Sequence, residues 1–212
     1  MKRTRSGGRS GGVRVVPLTP DRWADFEKLF GPRGACAGCW CMWPRLSGPE
    51  FARHQGDDNK RSMKRIVTGG ENPGLIAYVG GVPAAWCALA PRERYTRLER
   101  SRVLAPVDDA AVWSVICFFV ARPFRGSGLA GRLLREALRF ARARGAKILE
   151  GYPIDVPRGK SYADVFVWHG TASVFRAAGF VEVARRSPTR PIMRRATGGR
   201  GRAAPGARPS RG

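Results

Sequence analysis

The chain has 212 residues, of which 43% are hydrophobic, a length and composition that suit one globular domain with a core of its own. No apolar run approaches the ~20 residues that a membrane-spanning helix needs, so a membrane partner is not expected. The formal net charge of +23 raises nucleic acid as a ligand class, but no Cys/His finger spacing, heptad or aromatic RNA-binding signature accompanies it.

Both ends of the chain carry part of this charge among small residues. Segments of this composition cannot bury a core, so we predict disordered basic tails at 1–12 and 196–212 around a folded domain at 13–195. The N-terminus does not have the pattern of a signal peptide, and five cysteines are an odd number for a disulfide framework. We therefore expect a cytoplasmic protein with reduced cysteines.

The first half of the domain alternates strand and helix signals. In chain order we predict a strand at 13–18, a helix beginning at Thr19-Pro20-Asp21, a loop at 31–48, a helical region at 49–67 that is interrupted near Gly56, a hairpin of strands 75–79 and 82–89 around Gly80-Gly81, and an irregular polar stretch at 95–106. The loop at 31–48 contains three of the five cysteines and two tryptophans.

The second half of the domain contains a strand–helix–strand unit. Residues 112–120 predict a long buried strand, 147–151 predict the next strand, and the connection between them should be right-handed and parallel. The helix between them has one apolar stripe, formed by Leu129, Leu133, Leu134, Ala137, Leu138 and Ala141. A short helix at 170–178, stopped by Gly179, and a hairpin of 180–185 with 191–195 close the domain. This order predicts a mixed α/β fold, with a mixed central sheet and flanking helices.

The most informative stretch is Arg125-Gly126-Ser127-Gly128-Leu129-Ala130-Gly131, between the long strand and the amphipathic helix. A glycine-rich turn that opens a helix presents backbone N–H groups at the positive end of the helix dipole, which is a seat for a phosphate. The letters also satisfy the dinucleotide fingerprint, with Glu150 near the place of a ribose-binding acid. Five residues separate the strand from the first glycine, however, and only about 60 residues remain after Glu150, too few for the further units of a dinucleotide fold.

Read as Arg-x-x-Gly-x-Ala, the same stretch resembles the GNAT superfamily of acetyl-CoA-dependent N-acetyltransferases. A second match is Val174-Phe175-Arg176-Ala177-Ala178-Gly179-Phe180, which is similar to the family's Leu-Tyr-x-x-x-Gly-Phe ending. The resemblance covers 13–195 and implies a GNAT-like acyl-CoA N-acyltransferase fold with acetyl-CoA as co-substrate. It implies that backbone amides of the glycine-rich stretch hold the diphosphate and that the preceding strand pairs with the pantetheine arm. The implied cofactor-binding residues are Phe118, Phe119, Val120, Arg125, Gly126, Gly128, Leu129, Ala130 and Gly131.

The implied reaction is direct attack of an amine on the thioester in a ternary complex, and it needs a base to accept a proton from the amine. The strand at 112–120 contains no acidic residue. Glu150, at the end of the neighbouring strand, is therefore the candidate catalytic base, followed by Asp155.

The departing thiolate is often protonated by a tyrosine in this family, and that position matches Phe175, which has no proton to give. Ser173 and Tyr162 are candidate substitutes, and water is equally credible because a thiolate is a good leaving group. The family's frequent asparagine near the start of the last helix is also absent, with Trp168-His169 in its place.

The spacing Cys36-x-x-Cys39-x-Cys41 is compatible with zinc, with His54 or His169 as a candidate fourth ligand. Because no fourth ligand is obvious from the spacing, we expect reduced thiols in a packed loop and no metal. We expect Trp40 and Trp43 in this loop to serve in core or loop packing, with contact with the acceptor as the alternative. Cys117 lies in the strand expected beside the acetyl group, where a buried apolar thiol is commoner than a covalent acetyl-cysteine.

The acceptor is expected to be a small-molecule or peptide amine, with no specific nucleic acid as partner, and a homodimer is left open. Two alternatives to an enzyme stay open as well. One is a non-catalytic acyl-CoA-binding module, which the Phe175 departure keeps open, and the other is a basic nucleic-acid-binding protein on the same fold.

Overall fold

The computed structural model describes residues 12–156 and 168–198. Within these two ranges, seven strands form one sheet. The strands are β1 (Val13–Pro17), β2 (Gly74–Val79), β3 (Val82–Pro91), β4 (Trp113–Val120), β5 (Ile148–Gly151), β6 (Val181–Arg185) and β7 (Pro191–Ala196). The α-helices are α1 (Trp23–Phe30), α2 (Gly48–His54), α3 (Asp57–Thr68), α4 (Thr96–Glu99), α5 (Leu129–Ala143) and α6 (Ala172–Ala177). None of these helices has the length and apolarity that crossing a bilayer requires.

The strands lie across the sheet in the order β1-β2-β3-β4-β5-β7-β6. Neighbours are antiparallel except β4 and β5, which are parallel and are joined through α5. This arrangement confirms the predicted mixed sheet with flanking helices. The two predicted hairpins and the strand–helix–strand unit are also present, and strand bounds differ from the predicted ones by at most two residues.

β4 and β5 pair over a short stretch only. Trp113, Ser114 and Val115 of β4 lie opposite Leu149–Gly151 of β5, and the register ends there. Further along β4, the Phe118 amide donates instead to the Trp168 carbonyl at 2.6 Å. The two parallel strands therefore diverge, and the C-terminal half of β4 has no strand on that side in the described part of the chain.

α5 packs its apolar face on the sheet next to β2, β3 and β4. The buried residues of this face are Leu129, Leu133, Leu134, Ala137, Phe140 and Ala141. The predicted stripe is confirmed with one change, because Phe140 is buried while Leu138 is only half-buried. Each fully buried large apolar side chain contributes on the order of 1.5–3 kcal/mol, so the position of this helix is firmly set.

The other face of the sheet is covered by α1 and the cysteine-containing loop. Trp86 of β3 is fully buried there, and its ring lies 4.9 Å from Phe26 and 6.1 Å from Phe30. The Trp40 ring stacks on Phe30 at 5.8 Å, and only 4% of Trp40 is exposed. Trp40 is therefore a core residue, in agreement with the packing role expected for it.

The polar stretch at 95–106 is more ordered than its sequence predicts. It contains α4, preceded by a 3₁₀ turn at Arg92–Arg94, and both Tyr95 and Leu98 are buried in the core. The Arg92 guanidinium donates to the carbonyls of Leu98 and Leu104, at 3.1 and 2.7 Å. A buried arginine thus provides hydrogen-bond partners for a segment that has few apolar residues of its own.

Candidate functional site

The junction between β4 and α5 is built around two glycines in the left-handed region. Gly126 has φ 73° and Gly128 has φ 77°, and no atom lies within 4 Å of the place that a side chain's first carbon would take at either residue. Glycine is favoured here by the backbone conformation and not by crowding. Gly128 is also the N-cap of α5, so no side chain caps this helix end.

The first turn of α5 has backbone amides without a partner in the helix. The amides of Leu129, Ala130 and Gly131 have no intrahelical acceptor, as in any helix start, and they lie at the positive end of a 15-residue helix. No acidic residue occurs in this first turn, whereas α1, α2 and α3 each have one or two there. This helix start is therefore left electropositive, which suits an anionic group.

A cavity of about 870 Å³ extends from this helix start along β4, within the range of about 300–1,000 Å³ of small-molecule sites. Its walls are the C-terminal half of β4, the turn into α5, the cysteine loop and the segment that leads into α6. All of the predicted cofactor-binding residues line it, namely Phe118, Phe119, Val120, Arg125, Gly126, Gly128, Leu129, Ala130 and Gly131. The structure therefore brings this set together, while the binding role itself stays a prediction.

Two backbone groups on the edge of β4 that faces this cavity already form hydrogen bonds within the protein. The Phe118 amide donates to the Trp168 carbonyl, and the Val120 carbonyl accepts a hydrogen bond from Arg125 Nε at 3.1 Å. A pantetheine arm that pairs with β4 as predicted must therefore use the remaining backbone groups or displace these two contacts.

Glu150, the predicted base, is fully buried and does not line this cavity. Its carboxylate accepts hydrogen bonds from Arg92 Nη1 at 3.1 Å, from Arg194 Nε at 2.6 Å and from the Tyr152 hydroxyl at 2.5 Å. A carboxylate held by two guanidinium groups inside the sheet has a structural role, and this geometry argues against its taking a proton from an amine. The sequence could not show this, because Arg92 and Arg194 are distant from Glu150 along the chain.

The second acidic candidate, Asp155, is also held by cations. Arg176 and Arg185 lie 3.2 and 2.7 Å from its carboxylate, and these hydrogen bonds lower the pKa of Asp155 below its usual value. Such a group is a poor proton acceptor. Neither acidic candidate from the sequence is placed to deprotonate an acceptor in the cavity.

The residues considered for protonating the thiolate are scattered. Ser173 is exposed, and its hydroxyl lies 2.9 Å from the Thr171 hydroxyl, which does line the larger cavity. Phe175 is fully buried, with its ring 6.1 Å from Phe118 and 5.0 Å from Phe180. Tyr162 lies outside the described residues.

Four cysteines line the larger cavity, namely Cys36, Cys39, Cys41 and Cys117, and all are free thiols. Within residues 12–156 and 168–198, no group of three or more His, Cys, Asp or Glu residues is placed to hold a metal ion. The Trp86 indole donates to Cys41 Sγ at 3.2 Å. The hydrogen bond to Cys41, together with burial, raises the pKa of Cys117 well above its usual value, so this thiol stays protonated and is a poor nucleophile.

The cysteine loop has a strained backbone where it faces the larger cavity. Four non-glycine residues have positive φ, namely Ala35, Ala37, Trp40 and Cys41. Each such residue costs on the order of 1–3 kcal/mol and persists only where its surroundings impose it, and strain of this kind clusters at functional sites. The sequence has no signal for this feature, because alanine, tryptophan and cysteine do not favour the left-handed region.

A second cavity of about 340 Å³ adjoins the first and shares Trp43, Pro44 and Trp168 with it. Its other lining residues are Ser47, Gly48, Arg97, Leu98, Arg100, Ser101, Leu104, Ile116 and His169. Trp43, predicted to contact an acceptor, is 37% exposed and lies between the two cavities. From the sequence, His169 is a departure from the family's asparagine and a candidate fourth zinc ligand, and no pattern singles out Arg97 or Arg100.

Comparison with known proteins gives one family. The model described as "Acetyltransferase (GNAT) family" matches residues 39–153. Among solved structures, an acetyltransferase of the GNAT family from Listeria monocytogenes has a TM-score of 0.53 at 10% identity, covering 87% of this chain and 94% of that chain. Another from Streptococcus agalactiae has a TM-score of 0.52 at 11% identity, covering 87% and 95%. These two likenesses concern the fold, and no curated protein matches the sequence.

Proposed function

The chain belongs to the GNAT acetyltransferase family, and we propose that it transfers an acetyl group from acetyl-CoA to an amine. One observation carries the proposal. The residues that the family resemblance assigns to the co-substrate line one cavity. This cavity begins at the uncapped N-terminus of α5 and follows β4. Coenzyme A has a diphosphate followed by an extended thiol arm. It therefore needs an anion-binding helix start followed by a strand edge, which is the order found here.

In the proposed complex, the diphosphate accepts hydrogen bonds from the backbone amides of residues 126–131. The absence of an acidic residue from the first turn of α5 favours this, because the dipole is not neutralised from within the chain. Gly126 and Gly128 allow close approach, since neither has a side chain between the backbone and the ligand. The pantetheine arm then runs along β4 and places the thioester near Cys117 and Phe118.

The proposed chemistry is a single acyl transfer. The lone pair of a neutral amine attacks the thioester carbonyl carbon, the C–N bond forms, the C–S bond breaks, and coenzyme A leaves as the thiolate. The nitrogen loses one proton and the sulfur gains one. Phe175 has no proton to give, so water protonates the thiolate, with the Ser173 hydroxyl, beside Thr171, as the side-chain candidate.

The test is thiol release from acetyl-CoA with a panel of amines, combined with calorimetric binding of coenzyme A to the full chain. The proposal predicts binding together with amine-dependent release. Binding without release from any amine would favour the non-catalytic acyl-CoA-binding module, to which the buried Phe175 points. Absence of binding would contradict both.

A further inference from the structure

Two buried polar groups of the smaller cavity have no hydrogen-bond partner among the described residues. They are Nη2 of Arg97 and Nδ1 of His169. Buried donors and acceptors are nearly always paired, because a buried polar group without a hydrogen bond destabilises the protein. Two such atoms in the lining of one cavity, next to the proposed thioester site, indicate a polar ligand that pairs with both.

The Arg97 end of the cavity is electropositive. The Arg97 guanidinium lies flat on the Trp43 ring at 3.3 Å and donates from Nε to the Trp43 carbonyl at 2.7 Å, which fixes its direction. Arg100 lines the same cavity, whereas no Asp or Glu does. The nearby Glu50 carboxylate caps α2 through the Ser47 amide at 2.8 Å and also interacts electrostatically with Arg100, so Arg97 is the main cation of this end.

The His169 end offers an acceptor instead. Its side chain is nine-tenths buried, with 7% exposed, and burial lowers the pKa of the imidazole well below 6.5, so the ring is neutral. The ring also hydrogen-bonds the backbone of Ile116 in β4, which leaves Nδ1 as the unpaired atom. Trp168, the preceding residue, lines both cavities, so His169 lies near their junction.

We propose that the smaller cavity binds the acceptor and that the acceptor is a small amine that also carries a carboxylate. This inference rests on the proposed function and specifies its substrate class. Arg97 and Arg100 pair with the carboxylate, and His169 Nδ1 accepts a hydrogen bond from the amine nitrogen. Leu98, Leu104 and Ile116 receive the apolar part of the molecule.

The proposed contacts orient the amine for attack. An N–H bond that points at Nδ1 turns the nitrogen lone pair toward the cavity junction, where the thioester carbonyl lies in the proposed complex. When the C–N bond forms, the proton that the nitrogen loses passes to water, and Nδ1 only holds the N–H bond in its direction, because burial makes the imidazole a weak base. The carboxylate stays paired with arginine throughout, so it contributes binding and takes no part in bond making.

The first test compares carboxylate-bearing amines with their primary amides. Initial rates of thiol release are measured for α-amino acids with apolar side chains and for ω-amino acids of increasing length, each beside its amide. We expect at least one acid to exceed its amide about 10- to 100-fold in kcat/KM, as charge-assisted pairing with arginine would give. In Arg97→Gln this ratio should fall toward 1, and in Arg100→Gln it should fall partway. Arg102→Gln, an exposed arginine outside the cavity lining, should keep the full ratio.

The second test separates the two ends of the cavity. His169→Leu should lower kcat about 10-fold or more for acids and amides alike, because the amine is common to both, and should leave their ratio unchanged. His169→Asn, which restores an acceptor near Nδ1, should recover part of this loss. Calorimetric binding of coenzyme A shows that each variant is folded.

Several results would overturn this inference while leaving acetyl transfer intact. They are equal rates for acids and amides, a preference for acids that survives both arginine substitutions, an unchanged kcat in His169→Leu, and acetylation of peptide amines with none of the free amino acids. If the chain binds coenzyme A and acetylates no member of the panel, the inference is also wrong. Absence of coenzyme A binding, in contrast, would contradict the proposed function itself.

Discussion

Replacing Glu150 by Gln should destabilise the protein without acting directly on proton transfer. The carboxylate is fully buried between Arg92 and Arg194, whose side chains are 9% and 10% exposed, and it accepts a hydrogen bond from Tyr152. Gln keeps the volume and removes the charge, so two guanidinium groups lose their shared buried counter-ion. Arg92 keeps Glu99 at 3.1 Å and Arg194 keeps Asp108 at 2.6 Å, both on the more exposed side, so we expect the lower end of the usual cost. Breaking a buried ion pair by removing one partner costs about 3–5 kcal/mol. For a chain of this size that corresponds to a fall in Tm of roughly 6–20 °C.

The assay is the free energy of unfolding from urea titration, measured beside a matched control. Glu136→Gln removes an exposed carboxylate from an i,i+3 pair with Arg139, and it should cost less than about 1 kcal/mol. If Glu150→Gln costs no more than this control, the structural reading of Glu150 is wrong. Unchanged stability with turnover lost chiefly at low pH would restore Glu150 as the base.

Three further predictions concern the anion-binding N-terminus of α5, the phenylalanine at the family's tyrosine position, and the ion pairs of Asp155. Gly128→Glu should abolish coenzyme A binding in calorimetry, whereas Gly128→Gln, with the same left-handed strain and no charge, should weaken it less; equal affinities in the two variants would remove the electrostatic argument. Phe175→Tyr should cost about 1–3 kcal/mol in urea unfolding without raising turnover, because its ring is fully buried against Gly151 and the added hydroxyl must leave water; a gain in thiol release would contradict this. Asp155→Asn should cost up to about 1 kcal/mol at pH 7, since Arg185 and Arg176 lower the pKa of Asp155, and the cost should be fully present above about pH 5 and vanish as pH falls through that lowered pKa; a cost that persists at acid pH would exclude the ion pair as its cause.

The parts of the fold that the sequence predicts well are those set by local pattern. Alternation and apolar runs gave every strand of the sheet to within two residues, and helical spacing gave α5 and its buried face. The glycine-rich turn located the helix start that anchors the proposed site, because its chemistry depends on backbone geometry that Gly126 and Gly128 allow. These features need only residues that are close together along the chain.

What the sequence could not predict depends on contacts between distant segments. The position of Glu150 at a strand end makes it a candidate base. Its role, however, is decided by hydrogen bonds from Arg92, 58 residues earlier, and from Arg194, 44 residues later. The short helix α4 is stabilised by the same arginine, through carbonyls that no pattern identifies. The smaller cavity likewise combines Arg97 with His169, which are joined only through the tertiary fold.

The most direct test of the central claim is an amide-resolved NMR titration of the full chain with acetyl-CoA. We predict that the largest shift changes occur at the backbone amides of residues 126–131, with smaller ones along the C-terminal half of β4. The same pattern should appear with free coenzyme A and be lost at 126–131 with pantetheine, which lacks the diphosphate. Saturable binding that leaves the amides of 126–131 unshifted would contradict the claim that the N-terminus of α5 holds the diphosphate.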